Sequence, residues 1–170
     1  MQSFPGRMVG AARFDAGTYE EVEADTTASG QAVAVVLIAS LAAAVGVGAT
    51  DFRSLLGMIG VAIISWLIWV LLTLFIGTRL LPGSATKADF GEVLRTTGFS
   101  ASVGILRILG IFSAIRGPVF TIVTIWMLVT FVIAIRQALD YTSTGRAIAV
   151  CLLGWLIHGI LFFGFVRSVI

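Results

Sequence analysis

Apolar and polar positions fall into long separate blocks along this chain. No Asp, Glu, Lys or Arg occurs over 26–50 (25 residues), 54–78 (25), 117–135 (19) or 147–166 (20), and a fifth run, 96–115 (20), carries only Arg107. A bilayer hydrocarbon core roughly 30 Å thick takes about 20 apolar residues of helix. The pattern therefore predicts an all-α polytopic integral membrane protein with five transmembrane helices, at about 31–50, 55–78, 97–115, 117–135 and 147–166. Asp51-Phe52-Arg53 and Arg116-Gly117-Pro118 are short breaks, so helices one and two, and three and four, are expected to be tight antiparallel hairpins.

The interruptions predict the rest. Residues 79–95 contain the turn Leu81-Pro82-Gly83-Ser84, then Phe90, Val93 and Leu94 at i, i+3 and i+4 among Lys87, Asp89, Glu92 and Arg95. This spacing predicts a short interfacial helix over about 85–95 leading into the third span. Ser40, Ala44 and Gly48 are four apart in the first span, with Ala42 and Gly46 beside them, and predict ridges of close helix packing. Trp66, Trp69, Trp126 and Trp155 lie deep in their runs and are expected to pack between helices.

Composition agrees: 58% of the 170 residues are apolar and only 12% charged, about half the usual charged share of roughly 25%. The residues outside the runs are scattered over the termini and loops, which leaves no soluble domain with its own core. The chain divides into an acidic segment, 1–30, and a membrane domain, 31–170. Acidic rather than basic residues precede the first run, unlike a cleavable signal peptide. The single cysteine, Cys151, excludes an intrachain disulfide and a cysteine-based metal site.

Charge sets an expected orientation. With the N-terminus inside, the inner segments carry Arg7, Arg13, Arg79, Lys87, Arg95, Arg136 and Arg146, against Arg53, Arg116 and Arg167 outside. The positive-inside bias selects a cytoplasmic N-terminus. Ten arginines against one lysine suggest a GC-rich, bacterial source, hence an inner (cytoplasmic) membrane.

Little chemistry is available. Arg107 lies about ten residues from either end of its run, and no span contains Asp or Glu. A charge at that depth faces a partner or a water-filled cavity. Backbone carbonyls, Ser102, Thr124, a lipid phosphate or another subunit could supply the partner, and a structural or lipid-facing role stands ahead of transport. His158, alone in the fifth span, is a weak candidate for cofactor binding, since no second ligand exists. Ser100 with His158 does not suit an intramembrane serine protease, because the two residues sit at different depths. Arg136 and Asp140 are four apart and can pair on one helix face. The strip holding Asp15, Glu20, Glu21, Glu23 and Asp25 is repelled by anionic lipid and suits solvation or docking to a protein.

Several segments, in this order, resemble bacterial members of the Yip1 domain family: FDAGTYEEVEADTTASGQA before the first span, WLIWVLLTLFIGTRL in the second, EVLRTTGFSASVGILRILG into the third, and IWMLVTFVIAIRQALDYTSTGRAIAVCLLGWL across the last loop. The resemblance implies a five-helix membrane fold with a cytoplasmic N-terminus. Eukaryotic relatives are associated with Rab-type GTPases, vesicle traffic and membrane shape. Their aspartate-leucine-tyrosine-glycine-proline motif is absent here, so the resemblance carries no GTPase partner over to this chain. The proline common shortly after the glycine-aromatic pair of span three is also absent: Ser102-Val103 follows Gly98-Phe99.

The expected function is non-enzymatic and without cofactor or metal: packing against membrane lipids and other integral membrane proteins, as in an accessory subunit of a larger complex. The alternative is a small-molecule or lipid transporter with a cavity around Arg107. No nucleic-acid partner is expected. The contact candidates are Arg107, Glu20, Glu21, Glu23, Arg95, Arg136 and Asp140.

Overall fold

A computed structural model describes the backbone of residues 2–169 and the side chains of residues 2–160. The described residues form helices and no strand. Helix α1 (Phe4–Ala12) has Ser3 as its cap and Pro5 in its first turn; α2 (Ala16–Ala24) starts at Asp15, whose carboxylate accepts from the Gly17 amide. A 3-10 turn, Thr26–Ala28, leads into α3 (Ser29–Gly46). The Asp51 carboxylate accepts from the Ser54 amide and opens α4 (Phe52–Phe75), which continues as one π-helical stretch, Ile76–Leu80. A capping box of Asp89 and Glu92 starts α5 (Phe90–Ser100), which runs on as a 3-10 helix, Ala101–Ile111. Helices α6 (Arg116–Ala138) and α7 (Thr144–Val169) complete the order.

Three helical stretches are long and apolar enough to cross a membrane, Thr26–Gly46, Phe52–Leu80 and Ser113–Ala138, and Thr144–Ile160 is a shorter apolar one. With Leu71, Ile122, Ile125, Leu152 and Leu156 exposed, this is a membrane protein whose outer surface is made for lipid. The two short breaks turn the chain as expected, at Asp51 and at Arg116, with Pro118 in the first turn of α6. Arg116 Nε donates to the Gly110 carbonyl at that end of the bundle. At the other end, called here the N-terminal face, Gln137 meets Glu20 and Thr86 meets the Leu139 carbonyl.

The third predicted span differs from the others because it changes helix type. An 11-residue 3-10 run is long for that conformation. Its sequence explains it: Ala101, Gly104, Arg107 and Gly110 are spaced by three, and three residues per turn puts all four in line. On an α-helix the same positions would wind around half the circumference. The aligned face packs between α3 and α6, and on α3 it meets a line of buried residues, Ala32, Val35, Ala39, Ala42 and Gly46, at alternating intervals of three and four. A Cβ placed on Gly104 would lie 2.9 Å from the Ala39 methyl. Of the small residues predicted to pack closely, Ala42, Ala44 and Gly46 are buried, while Ser40 is half-buried and Gly48 exposed, so the contact line runs through Ala42 and Gly46.

Other expectations change as well. The interfacial helix predicted over 85–95 begins only at Phe90 and enters the bundle, because its continuation buries Val93, Arg95, Thr96 and Thr97. Residues 4–24, which carry most of the acidic strip, form a helical hairpin, with Ala11, Tyr19 and Val22 in a core shared with Ala32, Val35, Phe99 and Ala134. The hairpin turn, with Phe14 in the left-handed region (φ 67°), reaches the middle of α6, where Trp126 Nε1 donates to the Ala12 carbonyl at 2.8 Å. Trp66 bonds Thr97, and Trp69 packs between Phe131 and His158. Trp155 is 71% exposed and packs against no neighbouring helix to any depth, so it faces lipid.

Candidate functional site

The N-terminal hairpin places most of the sequence-derived candidates. Arg7, 2% exposed on α1, joins three elements: Nε and Nη2 donate to Glu21 Oε1 (3.2 and 3.0 Å), Nη2 to Asp25 Oδ2 (2.7 Å), and Nη1 to Gln31 Oε1 on α3 (3.0 Å). Burial alone would lower the Arg7 pKa, but the Asp25 and Glu21 hydrogen bonds outweigh it and raise it. Glu21 is held below the carboxylate range, first by the Gln2 amide and then by Arg7; Asp25 is held low first by Thr27 and then by Arg7. Glu21 is therefore, with Asp25, a structural ion-pair member turned toward Arg7.

Arg95 is also structural. It is 5% exposed, and its Nε donates to the Val22 carbonyl (2.9 Å) and, with Nη2, to the Glu23 carbonyl at the C-terminus of α2. A cation there satisfies carbonyls that the helix leaves unpaired. Its expected exposure on an interfacial helix is corrected by this burial.

The remaining candidates converge. Glu20, Glu23, Arg136, Gln137, Asp140 and Tyr141 line a cleft of about 490 Å³ on the N-terminal face, closed on one side by Ala85 of the 81–89 loop. Gln137 Nε2 donates to Glu20 Oε1 at 2.9 Å. Arg136 and Asp140 do not pair across one helix face: α6 ends at Ala138, Asp140 turns into the left-handed region (φ 50°), and Arg136 Nε donates to the Tyr141 carbonyl at 3.2 Å. Tyr141 fixes the loop by donating to the Leu81 carbonyl at 2.6 Å, or to that of Gly77 at 3.2 Å.

Half-buried Glu23 is pushed up to about 7 from 4.5, chiefly by desolvation, then by the negative charges of Asp140 and Glu92, with Arg95 opposing and Glu20 adding to the rise. The folded state therefore holds the Glu23 proton at pH values where the unfolded chain has released it. Stability must fall as pH rises from about 4.5 to about 7, then level off. Solvent screening at a half-exposed site limits the effect to on the order of 1 kcal/mol. Thermal unfolding in detergent at pH 5 and pH 8 checks this: Glu23→Gln should remove that part of the pH dependence and stabilise the protein at pH 8.

Arg107 lies in the seam between the 3-10 helix and α6. Nη2 donates to Thr124 Oγ1 at 3.0 Å, and the guanidinium sits 5.5 Å from the Phe120 ring centroid. Thr124 is thus the partner among those the sequence offered, and Leu106, Ile108 and Leu109 around it are exposed. His158 stacks on Trp69 with ring centroids 5.7 Å apart, and its buried Nδ1 has no hydrogen-bond partner among the described residues. Among the described residues no group of three His, Cys, Asp or Glu could hold a metal ion.

Sequence reasoning used Arg7 only as a topology charge and did not single out Tyr141. The signal for Arg7 was present: Phe4, Met8 and Ala11 lie on one stripe of a short helix opened by Ser3 and Pro5, and all three pack on the core. Tyr141 carries no local signal, because its partners are about 60 residues away.

A family model described as the Yip1 domain matches residues 15–166. No curated protein and no solved structure matches the chain significantly.

Proposed function

The chain belongs to the Yip1 domain family, and from that premise we propose a non-enzymatic multipass membrane protein that works by docking another membrane protein on its N-terminal face. The observation that carries this reading is the convergence of Glu20, Glu23, Asp140 and Arg136 around one open cleft, from α2, the end of α6 and the α6–α7 loop. Arg7, Glu21 and Arg95 are instead committed to internal bonds. The carboxylates of Glu20 and Asp140, joined by Glu23 once it ionises above about pH 7, against one arginine suit a basic segment of the partner, and charged rims set partner choice and association rate.

The proposal includes five passes, formed by α3, α4, α5 with its 3-10 continuation, α6 and α7, and a cytoplasmic N-terminus in a bacterial inner membrane. The charge asymmetry of the loops supports that orientation, although Arg167 falls outside the described side chains. The role is that of an accessory subunit. The alternative, a transporter using Arg107, gains no support from a guanidinium held by Thr124 and Phe120 in a helix seam.

Native electrophoresis of gently solubilised membranes tests the docking reading. The protein should migrate in a larger assembly, and the charge reversals Glu20→Lys with Asp140→Lys should release it without unfolding it, since both side chains are exposed. Migration alone, or an assembly indifferent to the reversals, would sink the proposal.

A further inference from the structure

A second depression on the N-terminal face has the opposite chemistry. Leu71, Leu74, Phe75, Thr78 and Arg79 of the α4 end and Thr86, Lys87 and Ala88 of the following loop enclose about 690 Å³. Arg79 and Lys87 are both exposed, and among the described residues neither forms an ion pair or hydrogen-bonds to the protein; the ion pairs found there are those of Arg7. The two threonines are fixed instead: Thr78 Oγ1 donates to the Leu74 carbonyl at 2.6 Å, and Thr86 Oγ1 to that of Leu139 at 2.8 Å while accepting from the Gly83 amide at 2.9 Å.

Depth along α4 decides what such a site can hold. Arg53 and Arg79 bracket 25 uncharged residues, about 38 Å of helix, close to the hydrocarbon core plus part of each headgroup layer. Arg79 is therefore at headgroup level, and Leu71, two turns below it, is about 12 Å deeper. Leu71 and Phe75 are both more than half exposed on the same side. The π-helical stretch Ile76–Leu80 lies where the apolar stripe gives way to the cations; such stretches recur at functional sites.

We propose that this groove binds an anionic phospholipid, its phosphodiester between Arg79 and Lys87 and an acyl chain along Leu71, Leu74 and Phe75. Charge complementarity selects the headgroup, and the apolar stripe selects a lipid over a soluble phosphate. The inference needs the membrane placement of α4 and does not depend on the docking cleft.

Native mass spectrometry of the full chain in mixed detergent micelles with equal phosphatidylglycerol and phosphatidylcholine tests it. Wild-type protein should retain phosphatidylglycerol on the order of tenfold more than phosphatidylcholine. The double variant Arg79→Gln, Lys87→Gln should lose that preference, each single variant should lose part of it, and Arg53→Gln, at the opposite end, should keep it. Both side chains are exposed, so the variants should retain the wild-type elution volume on gel filtration. Equal retention of the two lipids, or a preference that survives the double variant, overturns the proposal. Displacement of phosphatidylglycerol by millimolar inorganic phosphate overturns it too, by assigning the cations to a soluble anion.

Discussion

Gly46→Leu is expected to leave little folded protein, because α3 and the 3-10 helix meet there backbone to backbone. A Cβ on Gly46 would overlap the Arg107 carbonyl oxygen and lie 3.3 Å from Phe120; one on Gly110, opposite, would come within 2.8 Å of the Gly46 carbonyl oxygen. Overpacking usually costs about 1–3 kcal/mol when neighbouring side chains can move. Here the obstacle is main chain, and relief requires separating two helices along their whole seam, so about 3 kcal/mol or more is expected. The loss would also misplace Arg107, whose carbonyl forms the contact. Monodisperse yield on gel filtration and the unfolding midpoint in detergent measure it, with Gly57→Ala as control: nothing lies within 4 Å of a Cβ there. A Gly46→Leu protein as stable as wild type would show that the seam is not closely packed.

Arg7→Leu should release the N-terminal hairpin while the bundle stays folded. One guanidinium makes four hydrogen bonds to Glu21, Asp25 and Gln31, and leucine makes none. Bonds to charged groups contribute about 1.5–3 kcal/mol, and the carboxylates left behind stay partly wet, so about 2 kcal/mol is expected at this site. Local opening of α1 then becomes roughly thirtyfold more frequent, and hydrogen exchange over residues 4–12 reports it. Arg7→Lys, which keeps the charge without the planar fork, should fall between. Because Glu21 and Asp25 are depressed in the folded state, the same opening should increase as pH falls through the carboxylate range. If α1 exchanges no faster in Arg7→Leu, apolar contacts of Phe4, Met8, Ala11 and Tyr19 alone hold the hairpin.

Hydrophobic blocks made the membrane class, the long helices and both short turns legible from the chain. In a bilayer each spanning helix must satisfy its own backbone, so length and polarity act locally and leave a local record. Asp51 and Pro118 mark helix starts for the same reason, whereas α5, capped by Asp89, starts later than the helix expected from Ala85. The cleft was legible as a set of residues, Glu20, Glu23, Arg136 and Asp140, but not as a place, and Arg95 and Glu21 were misread as exposed. Their burial depends on partners 72 and 14 residues away in the chain. The acidic strip carried its own ambiguity: alternate residues of α2 face the core or the cleft, while a charge count sees only their sum.

The amino-acid sequence by itself determined that this protein lives in a membrane, where most of its helices lie, and which few charges could matter. Tertiary structure decided what each charge does. It bound Arg7 and Arg95 to the N-terminal hairpin, gathered the cleft, left Arg79 and Lys87 without a protein partner among the described residues, and set Ala101–Ile111 as a 3-10 helix with Ala101, Gly104, Arg107 and Gly110 in line between α3 and α6. The division has one physical cause. Transfer of a helix into lipid is summed residue by residue along the chain, whereas helix seams, ion pairs and clefts depend on distances between residues that the chain order does not record.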